Sequence, residues 1–337
     1  MRTSALALVV LPALAFFPAL ANDSTAELST GGLIFVRNDN VEMVSEDLAI
    51  SAKEVSVRYR FFNKSDKDVT VLVAFPMPDI IVEGPDEPIS VPTDDPANFL
   101  AFTTVVNGKP VTTQVEQRVI AAGLDRTQLL RTLGIPLAPH LPSTNEALDR
   151  LPPEKWDELL RIGLAEIEEY DDTGRGMTKH LAARWMLQTT YYWEQTFPAK
   201  AETAIEHRYK PSVGASVQTS LGSPGADKEP WYDEYKEKYC FDSAFLAAVE
   251  RARKAAKSKF GGPFSEERID YILQTGANWS GPIKDFRLVI DKGAADSLVS
   301  FCGEDVKKIS DTQFEVKKTD FIPDGNLSIL ILKKLPQ

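Results

Sequence analysis

The stretch that decides the fold is Glu54–Phe75, EVSVRYRFFNKSDKDVTVLVAF. Apolar residues take every second position of its first half: Val55, Val57, Tyr59 and Phe61. This alternation is typical of a strand with one buried and one solvated face. A polar turn over 63–68 then leads into a second apolar run that begins at Val69. Two such runs around a turn predict a β-hairpin.

The same period continues outward from this stretch. Phe99–Val106 and Val111–Val119 flank Asn107-Gly108, the sequence signal of a type I′ hairpin turn. Apolar alternation returns over 181–197 and again over 203–209, which predicts a third hairpin. The final apolar run, Leu327–Leu332, has the length of a buried strand.

Helical spacing occupies the middle of the chain and one later segment. Leu129–Leu133 indicates a short helix, Ser143–Glu146 resembles a capping box, and Pro152-Pro153 suits the first turn of the next helix. A longer helix is predicted over about 241–260. We therefore expect a mainly β protein with helical insertions.

Strand counting predicts two β-sandwich-like bodies joined by a helical segment. The predicted divisions are a signal peptide at 1–21, an N-terminal β domain at 22–122, a helical insert at 123–180 and a C-terminal β domain at 181–337.

The first residues carry the pattern of a secretory signal peptide. An apolar run spans Ala5–Phe17, and Ala19-Leu20-Ala21 gives the small-x-small motif that precedes cleavage. The run is too short to cross a bilayer and contains Pro12. We expect cleavage after Ala21, export from the cytoplasm, and no stable membrane insertion of the processed chain.

The charge balance and the missing motifs narrow the functional classes. The formal net charge is −11, and the sequence shows no basic stripe, so a nucleic-acid partner is not expected. It also contains no HExxH helix, no GxSxG elbow and no phosphate-binding glycine loop with lysine. No cofactor is predicted.

The chain contains two cysteines, Cys240 and Cys302. In an oxidising compartment an even pair predicts a disulfide, and two free buried thiols are the alternative. The bond would close a loop of about 60 residues, for which chain entropy gives a stabilisation of roughly 4 kcal/mol.

Several sequence strings resemble an exported bacterial family known only as domain-of-unknown-function family 4424. They are NDST (22–25), LSTGGL (28–33), VAFPMP (73–78), YYWEQTFP (191–198), HRYKPSVG (207–214) and TGANWSGPI (275–283). The resemblance spans nearly all of the chain after residue 21 and implies a periplasmic protein of a Gram-negative bacterium. It implies no catalytic residue.

Four residues are candidates for contact with a ligand or partner: Tyr192, Trp231, Asn278 and Trp279. Aromatic side chains stack on sugars or grip peptides, but they also fill cores. Asn278 and Trp279 lie in a glycine-flanked turn, which suits either a recognition loop or a tight connection between strands. His207 shares a strand face with Ile205 and is expected to be a core histidine.

An acidic segment is the candidate for a metal site. Glu169, Asp171 and Asp172 precede a glycine-rich turn, and clustered carboxylates with such a turn are able to hold Ca²⁺. A solvated acidic loop is the alternative.

Together these features favour a non-catalytic binding or envelope-associated protein, whose partner is a periplasmic ligand or an envelope protein. Two other functions stay open: a hydrolase with a dispersed carboxylate or histidine–metal site, and a calcium-stabilised interaction module. A pocket with convergent carboxylates or histidines would favour the hydrolase. An aromatic groove or an exposed strand edge would favour the binding protein.

Overall fold

The computed structural model describes residues 22–29, 32–82, 89–171, 174–216, 219–223, 225–255 and 264–335. Over these residues the chain is mainly β with helical insertions, which confirms the predicted fold class.

Strand-rich segments alternate with short helices along the described chain. The strands before the first helix are β1 (Ser24–Ser29), β2 (Gly32–Val36), β3 (Val41–Ser51), β4 (Val55–Asn63), β5 (Val69–Pro76), β6 (Ile80–Ile81), β7 (Ile89–Ser90), β8 (Thr103–Val106), β9 (Lys109–Val111), β10 (Gln114–Ala121) and β11 (Leu124–Asp125). The middle elements are α1 (Thr127–Leu133), α2 (Pro142–Asp149), α3 (Pro153–Arg161), β12 (Ala165–Tyr170), β13 (Thr178–Ala183), β14 (Met186–Phe197), β15 (Glu202–Tyr209) and β16 (Val213–Ser216). The last elements are α4 (Trp231–Lys238), α5 (Ser243–Ala255), β17 (Phe264–Tyr271), β18 (Ile283–Asp291), β19 (Leu298–Phe301), β20 (Lys307–Lys308), β21 (Gln313–Phe321) and β22 (Leu327–Lys334). Short 3₁₀ helices lie at Ala226–Lys228 and Gln274–Asn278.

Most of the described strands lie in three sheets. The first sheet has the order β11-β10-β14-β5-β1-β2, with β6 beside β14. The second has the order β20-β21-β18-β3-β4-β15-β8-β9, and the third has the order β19-β22-β17-β16-β7. Pairing is antiparallel except between β18 and β3. β12 and β13 form a separate two-stranded sheet.

The turn over 63–68 joins two sheets instead of two paired strands. β4 pairs with β3 and β15 in the second sheet, whereas β5 pairs with β1 and β14 in the first. The predicted hairpin is therefore wrong. Alternation requires only that the apolar face of each strand meet the core, and two facing sheets satisfy this as well as one hairpin does. The predicted pairing of 181–197 with 203–209 is wrong for the same reason, because β14 and β15 lie in different sheets.

The Asn107-Gly108 turn is confirmed. β8 pairs with β9 across it, and the two turn residues have φ values of 48° and 76°. Such left-handed backbone is what a type I′ turn requires. The hairpin is shorter than predicted, because β10 leaves to pair with β14 in the first sheet.

The helices follow the sequence pattern in part. α1 and α3 lie where predicted, with Pro153 in the first turn of α3. The capping box is wrong: α2 begins at Pro142, and no side chain caps it. α5 lies within the predicted 241–260 helix, of which 256–260 fall outside the described residues. α4 was not predicted. No helix of the described chain combines the length and apolar character needed to cross a membrane.

The main core lies between the first and second sheets. Rings of the two sheets meet there: Phe61 and Phe197 have centroids 5.7 Å apart, and Phe75 and His207 have centroids 5.0 Å apart. Burial of one such phenylalanine contributes about 1.5–3 kcal/mol. Both sheets contain strands from 22–122 and from 181–337, so the predicted domain boundaries do not separate the sheets.

The third sheet is covered on both faces. Ile329 and Ile331 of β22 join the main core, whereas Leu330 and Leu332 pack with Phe245 of α5. Burial on both faces explains why the final strand is apolar at consecutive positions.

Candidate functional site

A groove runs between the third sheet, the second sheet and α5. Its volume is about 810 Å³. Large apolar side chains from four elements line it. They are Phe245 of α5, Val299 and Phe301 of β19, Phe286 of β18, and Phe321 of β21. The rings of Phe286 and Phe321 lie 4.6 Å apart, between centroids, and form one aromatic wall.

The opposite wall is an edge strand. β19 is the terminal strand of the third sheet and pairs with β22 on one side only, among the described residues. Val299 and Phe301 pack towards the main core, while Leu298 packs towards α5. All four residues of β19 line the groove. An edge strand presents backbone donors and acceptors at regular spacing, which is the feature that strand addition uses.

Three of the charged groups that line the groove are engaged in contacts within the protein. Lys292 is buried and donates to the carbonyl oxygens of Ala295 and Ser297. Burial lowers the pKa of its ammonium group. Glu304 accepts a 2.8 Å bond from Lys318, which lowers the pKa of the glutamate. The described lining contains no histidine.

The disulfide is part of the lining of this groove. Cys240 and Cys302 are bonded to each other, which confirms the predicted pairing. Both residues line the groove. The bond ties the connection between α4 and α5 to the end of β19, and Ser300 Oγ reinforces it by donating to the carbonyl of Tyr239 at 2.9 Å.

The four predicted contact residues do not form one site. Tyr192, on β14, is half-buried and donates its hydroxyl to Gln114 Oε1 at 2.8 Å. Trp231 opens α4, where its ring lies 5.7 Å from that of Tyr235. Neither residue lines the groove.

Asn278 and Trp279 instead hold a segment of this chain. Asn278 Nδ2 donates to Ser24 Oγ at 2.8 Å, and Trp279 Nε1 donates to the carbonyl of Asp23 at 2.6 Å. Trp279 is 0% exposed and packs on Phe61, so it has no surface to offer a ligand. Of the two sequence interpretations, the tight connection fits this geometry.

The residues that follow the predicted cleavage position are buried in a polar cluster. Asn22 Nδ2 donates to Glu46 Oε2 at 3.1 Å, and the Tyr59 hydroxyl donates to Asn22 Oδ1. Thr275 Oγ1 donates to the carbonyl of Asn22 at 2.7 Å. Sequence reasoning missed Glu46, because the register of β3 shifts between Met43 and Ser45 and simple alternation from Val41 and Met43 would place Glu46 on the opposite face. The available signal is its two-residue spacing from Leu48 and Ile50, which lie on the buried face of β3.

Two carboxyl groups in this cluster have shifted pKa values. Burial is the main cause that raises the pKa of Glu46 from 4.5 to about 8; the hydrogen bond from Asn22 opposes this rise, and the charge of Asp23 adds to it. Burial also raises the pKa of Asp23, an effect opposed by the charge of His207 and by its hydrogen bond. One oxygen of each carboxyl group, Glu46 Oε1 and Asp23 Oδ2, has no hydrogen-bond partner among the described residues.

His207 has the order of contacts found in hydrolytic triads. Its Nε2 lies 2.9 Å from Asp23 Oδ1, and its Nδ1 lies 3.1 Å from Thr104 Oγ1. His207 and Asp23 are both 0% exposed. No substrate reaches such a site from solvent, so this is a buried structural network, and the core position expected for His207 is confirmed.

A second arrangement of the same type lies near the surface. His180 Nδ1 is 2.8 Å from Asp149 Oδ2, and His180 Nε2 is 2.8 Å from Thr178 Oγ1. Thr178 is exposed. The ring of Tyr170 stacks on the imidazole, with centroids 3.9 Å apart.

Of the acidic segment, the structure describes Glu169 and Asp171, which lie at and just after the end of β12. Glu169 lies on β12, 3.9 Å from Lys179 Nζ. Asp171 accepts backbone hydrogen bonds from Gly174, Arg175 and Gly176. Asp172 lies outside the described residues. Within the described residues, no three His, Cys, Asp or Glu side chains are arranged to hold a metal ion.

These features define a mainly β protein with two facing sheets, a third sheet and an edge-strand groove. The chain belongs to the family described as domain of unknown function (DUF4424), whose profile matches residues 21–330. The resemblance found in the sequence is thereby confirmed. No curated protein matches the chain.

Solved structures that resemble this chain include a distant one. It is the crystal structure of a "putative nutrient binding protein" from Legionella pneumophila subsp. pneumophila str. Philadelphia 1. The sequence identity is 17% and the TM-score is 0.44, with 93% of this chain and 71% of that chain covered. The likeness is too distant to bear on the function of this chain.

Proposed function

We propose that this chain is an exported, non-catalytic binding protein of the Gram-negative periplasm that holds an extended polypeptide segment in the groove beside β19. The observation that carries the proposal is the position of an edge strand opposite an aromatic wall of the same groove. Backbone groups of β19 would pair with the segment, and the phenylalanines would receive every second side chain.

The alternation of β19 supports an extended occupant. Val299 and Phe301 lie on one face of the strand and Leu298 on the other. An added strand has the same two-residue period, so its apolar side chains would fall beside Phe286 and Phe321.

Two observations support the proposed export: the signal-peptide pattern and the disulfide. The pattern predicts that the processed chain begins at Asn22. The disulfide between Cys240 and Cys302 agrees with an oxidising compartment. Mass spectrometry of the periplasmic fraction tests this part, and a cytoplasmic product that retains residues 1–21 would overturn it.

Binding is tested with a fluorescein-labelled peptide of alternating phenylalanine and serine, followed by fluorescence anisotropy. Val306→Asp places a charge on a groove residue that is 39% exposed. It should weaken binding on the order of tenfold, because a charge must then be desolvated. Ile309→Asp is the matched control: Ile309 is 44% exposed and lies outside the groove lining, so binding should stay unchanged.

Two outcomes would overturn the peptide proposal. One is equal binding by both variants and the unaltered protein. The other is saturable binding of the apolar dye anilinonaphthalene sulfonate, abolished by Val306→Asp, without any binding of the peptide. That result would assign the groove to a small apolar ligand. Affinity capture from periplasm with Tyr192→Ala and Trp231→Ala tests whether these two residues contact a partner elsewhere.

A hydrolase is the second candidate, and the Asp149–His180–Thr178 arrangement favours it. A nucleophile, a base and an orienting carboxylate at these distances are able to perform acyl transfer. Hydrolysis of p-nitrophenyl acetate that disappears in Thr178→Ala would support it. Turnover that is equal in the variant and the unaltered protein would count against it.

A further inference from the structure

We propose that the polar cluster around Glu46 is a receptor for the α-ammonium group of Asn22, the group that removal of residues 1–21 would create. Signal-peptide processing then completes the fold, because it supplies a cation to Glu46, whose described contacts include none. The inference rests on the export proposed above and does not involve the groove.

The first support is the burial of the chain at Asn22 and Asp23. Asn22 and Asp23 are both 0% exposed. Leu273 and Thr275 contact Asn22 through a backbone carbonyl and a hydroxyl, and Trp279 holds the carbonyl of Asp23. These three residues lie in and beside one 3₁₀ turn, which is far away in the sequence. The fold therefore closes around the residues that processing would make terminal.

The second support is an imbalance of charge. Glu46 and Asp23 are buried carboxyl groups, and each has one oxygen without a partner among the described residues. Among the described contacts of this cluster, the basic side chain is that of His207. It is hydrogen-bonded to Asp23 and not to Glu46. The other groups that face Glu46 are Asn22 and the hydroxyls of Tyr59 and Tyr271, which bring no positive charge.

The third support is reach. The side-chain amide of Asn22 already donates to Glu46 Oε2 at 3.1 Å. The α-nitrogen of the same residue is separated from that amide by only a few covalent bonds. A free α-ammonium group at Asn22 would thus lie beside a buried carboxylate, and each ion would stabilise the charged form of the other. In a chain that retains residue 21, the same atom is an uncharged peptide nitrogen.

The test is a thermodynamic cycle on exported protein. The unaltered protein is compared with one that carries an extra alanine between Ala21 and Asn22, each with and without Glu46→Gln. Mass spectrometry establishes where each chain begins. The extra alanine should raise the unfolding equilibrium constant by about tenfold or more when Glu46 is present, since a buried pair loses one partner. With Glu46→Gln the same insertion should change it by less than about threefold.

The control is Glu27→Gln, an exposed glutamate on β1. It should leave the effect of the extra alanine unchanged. If the insertion has the same effect with and without Glu46→Gln, the two changes are additive and the proposal is overturned. A leader retained in the mass spectrum would overturn the proposed export and this inference together, whereas additivity in processed chains would overturn the inference alone.

A second measurement uses the unaltered protein, so it does not depend on whether a variant folds. The α-amine of the folded, processed protein should resist acylation by an N-hydroxysuccinimide ester, while exposed lysines react, and urea should abolish the protection. Acylation of the α-amine in the folded protein as fast as that of exposed lysines would overturn the proposal.

Discussion

The indole of Trp279 donates a 2.6 Å hydrogen bond to the carbonyl of Asp23, a residue 256 positions earlier in the chain. The same ring packs on Phe61 and Phe197, which belong to the two facing sheets. One side chain thus joins the start of the described chain to both walls of the core. This contact explains why a turn that resembles a recognition loop is buried.

Trp279→Phe should lower the free energy of unfolding by about 2–4 kcal/mol, because it removes a buried hydrogen bond and leaves a cavity. Urea unfolding followed by far-ultraviolet circular dichroism measures the change. Trp231→Phe is the matched control, since Trp231 is half-buried on a surface helix. Equal losses in both variants would contradict the anchoring role of Trp279.

Gly276→Ala should also be destabilising. A Cβ atom at this position would lie 2.7 Å from Asn22 Nδ2, closer than atoms in contact approach each other. We expect a loss of about 1–3 kcal/mol from overpacking. Gly325→Ala is the control, because no heavy atom lies within 4 Å of its Cβ position. The same denaturation measurement applies, and a Gly276→Ala variant as stable as the control would show that Asn22 is free to move away.

The disulfide should stabilise the protein by about 2–4 kcal/mol. The double variant Cys240→Ser/Cys302→Ser should therefore melt at a lower temperature than the unaltered protein. Dithiothreitol should lower the melting temperature of the unaltered protein and leave that of the double variant unchanged. Calorimetry with and without the reductant provides the comparison, and insensitivity of both proteins would contradict a stabilising bond.

In the protein with the extra alanine, whose α-amine is moved away from Glu46, the free energy of unfolding should fall as pH rises. The pKa of Glu46 is 4.5 in an unfolded chain and about 8 in the folded, uncleaved one. Between these values the folded state binds a proton that the unfolded state does not, so its stabilising contribution is full below pH 4.5 and is lost as pH approaches 8. In the extra-alanine protein we expect a fall on the order of 1 kcal/mol per pH unit. Glu46→Gln should remove this dependence and Glu27→Gln should not, as measured by urea unfolding across the interval.

Calcium should not stabilise the acidic segment. The Asp171 carboxylate already accepts three backbone hydrogen bonds, which would have to be given up or shared with a cation. We expect no change of melting temperature in millimolar Ca²⁺, and Asp171→Asn should behave alike with and without the ion. A rise in the melting temperature that Asp171→Asn abolishes would restore the calcium-stabilised module as a function.

Sequence patterns predicted where the strands lie better than which strands pair with each other. The strands around Val57, the Asn107-Gly108 turn and the final apolar strand follow directly from side-chain period and turn chemistry. The hairpins around 63–68 and between β14 and β15 were wrong, because alternation fixes which face is buried and not which strand lies alongside.

The candidate site shows the same limit. Cys240 and Cys302 could be paired from their even number and from the oxidising compartment that the signal-peptide pattern predicts. The groove could not be predicted, since β18, β19, β21 and α5 meet there only after the second and third sheets have formed. Trp279 was a ligand candidate in the sequence because nothing local indicates that a distant strand covers it.

By itself the sequence determined the class of fold, the disulfide and the expected point of processing, all of which depend on residue type and on neighbours a few positions away. The tertiary structure alone decided that β4 and β5 face each other across a core, that β19 is left as an edge, and that Asn22 meets Glu46. Those relationships join residues far apart in the chain, and the free energy that selects them is that of burying whole surfaces together, which no local pattern encodes.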